Sequence, residues 1–204
     1  MINFNLYLIT DRTIINDKDI TSAVEEALKG GVRAIQLREK DLKIRGLLDL
    51  AYRMRALTNQ YKAKLFINDR VDVAVAVGAE GVHLGRKSIP PWAAKKVSKD
   101  LLVGVSTHSI EEAIEAERDG ADFITFGPVF YTPSKAAYGE PVGLDTLRKV
   151  CSTLSIPVLA IGGIKPDNVR DVLDCGAKGV AVISAILGAV NIKNSVEDFL
   201  RCLK

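Results

Sequence analysis

Several short apolar runs of this chain end in residues suited to handling phosphate. AIQLR (34–38) carries Gln36 and Arg38 with Lys40 just beyond, and KLFIN (64–68) closes on Asn68, Asp69 and Arg70. GVHLG (81–85) runs into Arg86, Lys87 and Ser88, while LLVGVS (101–106) runs into Ser106, Thr107 and His108. FITFG (123–127) leads to PVFYTPSKAAYGEP, a long polar stretch with Thr132, Ser134 and Lys135. IGGI (161–164) offers two glycines, Gly162 and Gly163, whose N–H groups can approach a ligand, and VISAI (182–186) passes from Ile183 into a helix capped by Ser184. Backbone N–H groups at such a turn bind a phosphate well, so these two runs read as a cradle, the alternative being that the glycines only permit a tight turn. Arg38, Lys40 and Lys135 exceed what one monophosphate needs. Asp69 beside Asn68 is the kind of oxygen pair that holds Mg2+ together with substrate phosphates. Two phosphorylated ligands are expected, one more highly charged than the other.

Residues this far apart meet only if a repeating scaffold brings the run ends to one face. Eight β-branched runs alternate with amphipathic segments: LYLIT (6–10), the five runs already named from 34 to 127, PVLAIGG (157–163) and GVAVIS (179–184). The helical segments include 20–30, 45–60, 71–78, 90–98, 109–120, 143–154, 166–176 and 195–203. Ser109 followed by Glu112 reads as a cap, and Pro166–Asp167 opens a helix that Gly176 closes. The exits GGVRAIQL, GAEGVHLG, GADFITFG and GAKGVAVI repeat one helix-to-strand turn in both halves of the chain. Eight βα units predict one closed TIM barrel over residues 1–204, an α/β fold whose strand ends converge on one face. An open doubly wound sheet is the rival, disfavoured because no Gly-x-Gly-x-x-Gly follows the first run.

Composition narrows the partners. The chain has 204 residues, 28 basic and 25 acidic side chains, and a formal charge of +3, with the basic residues dispersed. Nucleic acid is therefore not an expected partner. Cys151, Cys175 and Cys202 are odd in number and lie in helix-like segments, which fits reduced structural thiols. MINFNLYLITDR has neither a basic n-region nor a membrane-length apolar run, so a cytoplasmic protein with no membrane partner is expected. Oligomeric state stays open, a homo-oligomer included.

QLREK (36–40), INDRVDVAVAVGAEGVHLG (67–85), GVSTHS (104–109), FGPVFYTPSK (126–135), VLAIGGI (158–164) and GVAVISAI (179–186) together resemble thiamine phosphate synthase and its tautomerase-like relatives. The resemblance covers nearly the whole chain in order. It implies a barrel of eight βα units that joins a pyrimidine methyl diphosphate to a thiazole phosphate with release of diphosphate. By the same resemblance Gln36 and Asn68 contact the pyrimidine diphosphate, Arg38 and Lys40 lie close to its phosphates, and Asp69 matches a magnesium ligand. Ser106 and Lys135 match groups that hold the diphosphate and support its departure. Thr132 and Ser134 match contacts to the thiazole phosphate, with Gly163, Ile183 and Ser184 as its backbone cradle.

The chain departs from the family pattern at one place. Synthases usually read GVHLGQ-x-D, the aspartate being a second magnesium ligand, whereas this chain reads GVHLGRKS with Arg86 and Ser88. Three readings stay open: a synthase, a thiazole tautomerase, and a non-catalytic protein binding thiazole phosphate or thiamine phosphate in a regulatory role. The tautomerase branch carries a histidine after the glycine of the sixth run, where Pro128 stands here, and His108 occurs in both branches. His83 reads either as a hydrogen-bonded barrel residue or as a catalytic base.

Overall fold

The structure is a computed structural model that describes residues 2–15, 19–132 and 140–204. Eight strands alternate with helices: β1 Leu6–Ile9, β2 Ala34–Leu37, β3 Lys64–Asn68, β4 Gly81–Leu84, β5 Leu102–Thr107, β6 Phe123–Phe126, β7 Val158–Ile161 and β8 Gly179–Val182. Each pairs in parallel with the next, and β8 returns to β1 through Leu6–Val180 and Leu8–Val182, closing the barrel. The helices are α1 Ile20–Gly30, α2 Ile44–Gln60, α3 Val71–Val77, α4 Pro91–Val97, α5 Ile110–Arg118, α6 Gly143–Thr153, α7 Val169–Leu173, α8 Ser184–Leu187 and α9 Ile192–Cys202. The barrel expected from the repeat is therefore present, and its open-sheet rival is not.

Local chemistry explains the boundaries. At the four repeated exits Gly31, Gly78, Gly120 and Gly176 all take positive φ, the left-handed turn that lets each strand leave its preceding helix. Ser109 caps α5, accepting from the Glu112 N–H at 3.2 Å as its spacing suggested. Two boundaries differ from expectation. The segment opened by Pro166 begins as a 3-10 turn, Pro166–Asn168, before α7. The last helix starts at Ile192 rather than near Ser195, because Asn191 caps it by accepting from Asn194 N–H, while Ser195 Oγ donates to Ala185 O at 2.8 Å.

The strands are buried on both faces, as a parallel barrel requires. Outside, helices cover Leu, Ile and Val side chains. Inside, Phe4, Tyr7, Phe66 and Phe123 interlock, mostly edge to face, with ring centroids 5.3–5.7 Å apart. This aromatic plug fills the lower barrel. Above it lies a buried polar layer of Gln36, His83 and Thr125. Gly104 makes room for that layer, since a Cβ there would lie 2.4 Å from the Phe123 ring and 2.6 Å from His83 Nδ1. No helix among the described residues is long and apolar enough to cross a membrane.

Candidate functional site

Above the polar layer, at the carboxyl ends of the strands, the barrel opens into a cavity of about 970 Å³. That is near the upper end of the range for small-molecule sites, roughly 300–1,000 Å³. Arg38 and Lys40 enter from the loop after β2, Asn68 from the end of β3, and Arg86 from the loop after β4. Ser106 comes from β5, with His108 just beyond it and Thr132 on the segment after β6. Gly162, Gly163 and Lys165 follow β7, and Ile183 and Ser184 follow β8. Among the described residues the lining carries four Lys or Arg side chains, Arg38, Lys40, Arg86 and Lys165, against a single carboxylate, Asp167. The field inside favours anions.

Two loops hold these cations by backbone contacts. Thr10, buried, accepts from the Arg38 N–H at 2.9 Å and donates its own N–H to Gln36 O. Glu39 lies between the two cations in sequence, is buried and outside the cavity lining, and its Oε2 accepts from the Arg12 N–H at 3.1 Å. Burial pushes the Glu39 carboxyl upward against the opposing bonds from Thr10 and Arg12. After β4, Ser88 N–H donates to Gly85 O at 2.9 Å and Ser88 Oγ accepts from Gly85 N–H at 2.8 Å. Ser88 thus closes a tight turn that presents Arg86.

The opposite wall is built from backbone. Gly162 and Gly163 have φ of +97° and +65°, in the left-handed region. A Cβ on Gly163 would lie 2.5 Å from Tyr131 O and 2.7 Å from Phe130 Cβ, so this glycine is required by the neighbouring chain as well as by its own turn. Asn168 holds the turn, donating from Nδ2 to Gly163 O at 3.1 Å. Among the described residues, no hydrogen bond uses the N–H of Gly163, Ser184 or Ala185, leaving these donors for a ligand anion.

The floor is the polar layer. His83 Nε2 lies 3.0 Å from Ser106 Oγ and His83 Nδ1 lies 3.4 Å from the Tyr7 hydroxyl, which accepts from Gln36 Nε2 at 3.3 Å. Burial first, and the Arg38 charge second, lower the His83 pKa to about 3, so its imidazole is neutral at physiological pH. This is the hydrogen-bonded barrel residue anticipated as one of the two readings. His108 bonds through Nδ1 to Gly127 O.

Of the residues singled out in the sequence, Gln36, Arg38, Lys40, Asn68, Ser106, Thr132, Gly163, Ile183 and Ser184 all line this cavity. Ser134 and Lys135 lie outside the described residues. Asp69 is exposed at the rim and not part of the lining. Its backbone takes a positive φ, +65°, and its N–H donates to His83 O at 2.9 Å, which fixes it beside Asn68. Lys87 and Ser88 are also outside the lining, and Arg70 is paired with Asp72. Among the described residues no three His, Cys, Asp or Glu side chains cluster as a metal cage. One rim carboxylate beside an amide does fit a magnesium ion held chiefly by substrate phosphates. Lys165, Asp167, Ile9 and Thr125 also line the cavity and were not singled out. Lys165 could have been found from the IGGIKP run, where a cation stands two residues after the paired glycines.

Residues 6–186 match the family described as thiamine monophosphate synthase. The chain is 54% identical over 187 residues to a Geobacter sulfurreducens protein provisionally named thiamine-phosphate synthase, covering 91% of this chain and 88% of that one. It is 44% identical over 205 residues to the thiamine-phosphate synthase of Halalkalibacterium halodurans, covering 100% and 97% of the two chains. Among solved structures, thiamine phosphate pyrophosphorylase from Pyrococcus furiosus superposes with a TM-score of 0.90 at 43% identity, covering 98% of this chain and 95% of that one. With a closed barrel, a cavity at its strand ends whose charged lining residues are mainly basic, and relatives of this similarity over most of its length, the chain belongs to the thiamine monophosphate synthase family.

Proposed function

We propose that this cavity joins a pyrimidine methyl diphosphate to a thiazole phosphate, releasing diphosphate and forming thiamine phosphate. The observation that carries the reading is the division of one cavity into two walls suited to anions, Arg38, Lys40 and Arg86 on one and free backbone N–H groups beside Lys165 on the other. Arg38, Lys40 and Arg86 take the diphosphate, with Lys135 as a further cation. Gly163, Ile183 and Ser184 take the thiazole phosphate, with Thr132 and Ser134 beside them. Gln36 and Asn68 hold the pyrimidine between the two.

The chemistry suits these residue types. The methylene C–O bond breaks with its electron pair leaving on the diphosphate oxygen, and the electron-rich pyrimidine carries the developing positive charge. The lone pair of the thiazole nitrogen then forms the new C–N bond. No strong base is needed, which agrees with a neutral His83 below the site. Arg38, Lys40 and Ser106 stabilise charge gathering on the leaving oxygen. Holding both ligands in one cavity supplies the orientation that a bimolecular displacement lacks in water. Asp69 and Asn68 would hold Mg2+ entering with the diphosphate, and magnesium when bound supplies neutralisation of the leaving group. The same reading assigns the enzyme to the cytoplasm.

Incubation with both substrates and magnesium, followed by chromatography, tests the reading. Thiamine phosphate and diphosphate are expected in equal amounts. Tight binding of thiazole phosphate with no product would shift the assignment to a binding protein. Thiazole isomerisation without coupling would shift it to a tautomerase.

A further inference from the structure

We propose that Tyr7 and His83 are positioning residues that fix the direction of the Ser106 hydroxyl, so that Ser106 accepts from below and donates its proton upward to the bound diphosphate ester. The proposal deepens the synthase reading and rests on it for the identity of the ligand.

The argument is one of hydrogen-bond supply and demand along a buried chain. Tyr7 is 0% exposed and ringed by Phe4, Phe66 and Phe123, so its hydroxyl has few partners. It accepts from Gln36 Nε2, which leaves its own hydrogen to be placed. Among the described residues the acceptor in reach is His83 Nδ1 at 3.4 Å. An imidazole that accepts at Nδ1 and is neutral must carry its hydrogen on Nε2. A buried ring whose hydrogen-bond partners among the described residues are all hydroxyls, with no carboxylate among them, is held neutral. Nε2–H then points at Ser106 Oγ, 3.0 Å away, with Thr125 Oγ1 a longer alternative at 3.4 Å. Thr125 Oγ1 also lies 3.4 Å from Ser106 Oγ as a donor. With its lone pairs engaged from below, the Ser106 hydroxyl hydrogen has the cavity as its outlet, and Ser106 lines that cavity. The opposite tautomer would leave the Tyr7 hydrogen buried without an acceptor and turn the Ser106 hydrogen down onto His83.

Tyr7 and His83 do not themselves line the cavity, so they act through Ser106 and, in the case of Tyr7, through Gln36. Gly104 is the structural condition for the relay, because any Cβ there would displace His83 Nδ1.

The chain has two histidines, so the 15N imidazole spectrum of labelled protein resolves each. His83 is expected as the neutral Nε2–H form, identified by loss of one of the two signals in His108→Gln. An Nδ1–H form of His83 in the folded wild type overturns the proposal whatever the protein's activity. The second arm measures binding of inorganic diphosphate with magnesium and turnover with both substrates. Tyr7→Phe is expected to weaken diphosphate binding and lower kcat about fivefold, the scale of one hydrogen bond, with KM for thiazole phosphate unchanged. In a Ser106→Ala background the same substitution should change binding of inorganic diphosphate by less than about twofold, since no Ser106 hydroxyl remains to orient and the Gln36 contact bears on the pyrimidine alone. Equal effects of Tyr7→Phe in both backgrounds would make it a packing change and overturn the relay. Loss of product with the tautomer and diphosphate effects intact would fault the synthase reading alone.

Discussion

His83 occupies a place where a positive charge is least welcome, inside the barrel between an aromatic plug and a cationic cavity. Its folded pKa, near 3, lies below the usual value of about 6.5. The unfolded chain therefore binds a proton that the folded chain refuses between those two values, and stability falls as pH is lowered through that window. His83 should contribute a slope of up to about 1.4 kcal/mol per pH unit below pH 6.5. Urea unfolding at pH 7.0, 6.0 and 5.0 should show this loss in wild type and a shallower loss in His83→Gln, and parallel pH dependences would contradict a buried neutral imidazole. At this scale the sequence spoke through residue type and position. Arg38, Asn68 and Ser106 were legible because each is a polar residue at or next to the end of an apolar run, whereas Gln36 stands out as an amide within one and Thr132 belongs to the polar stretch beyond another. Ile9 and Thr125 were not, since an inward-facing residue of a buried strand is written in the same alphabet as an outward-facing one. Cys151 behaves as the sequence suggested, because burial raises its thiol pKa to about 11 and keeps it protonated and unreactive.

The connecting elements turn this positional information into geometry. The turn from Gly85 to Ser88 is closed by two hydrogen bonds, one of them from Gly85 N–H to Ser88 Oγ. Ser88 is therefore a turn cap, and Arg86, which the turn presents, is the residue that reaches the cavity. Ser88→Ala should cost about 1 kcal/mol of stability and raise KM for the pyrimidine diphosphate, leaving KM for thiazole phosphate unchanged. Ser88→Asp keeps an acceptor at the same position and should retain the turn. Thermal denaturation and steady-state kinetics of the two variants check this, and an unchanged diphosphate KM in Ser88→Ala would remove Arg86 from the site. The glycines after β7 need separate treatment. A side chain at Gly163 collides with Phe130 and Tyr131, so substitution there tests the fold before it tests the phosphate. Element types were well marked in the sequence because the periods differ, 2 for strands and 3.6 for helices, and because the four exit glycines recur. The start of α9 was not, since Asn191 and Ser195 are both acceptable caps and only packing against α8 decides between them.

At the scale of the whole molecule, the sequence carries a charge of only +3, but the fold gathers a local excess of basic side chains at the carboxyl ends of its strands. Among the described residues four basic side chains and one carboxylate line the cavity, while many other charges lie on the helices in exposed i,i+3 and i,i+4 pairs. Such exposed pairs stabilise little, so the charge that matters to function is the part collected at the strand ends. The central claim is that this one cavity holds two phosphorylated ligands at once on separate walls. Calorimetric titration of thiazole phosphate, with and without saturating inorganic diphosphate and magnesium, tests it most directly. The account predicts one site per chain for each ligand, with thiazole phosphate affinity retained when diphosphate is bound. Mutually exclusive binding, with thiazole phosphate displaced as diphosphate saturates, would mean a single shared anion site and would contradict it.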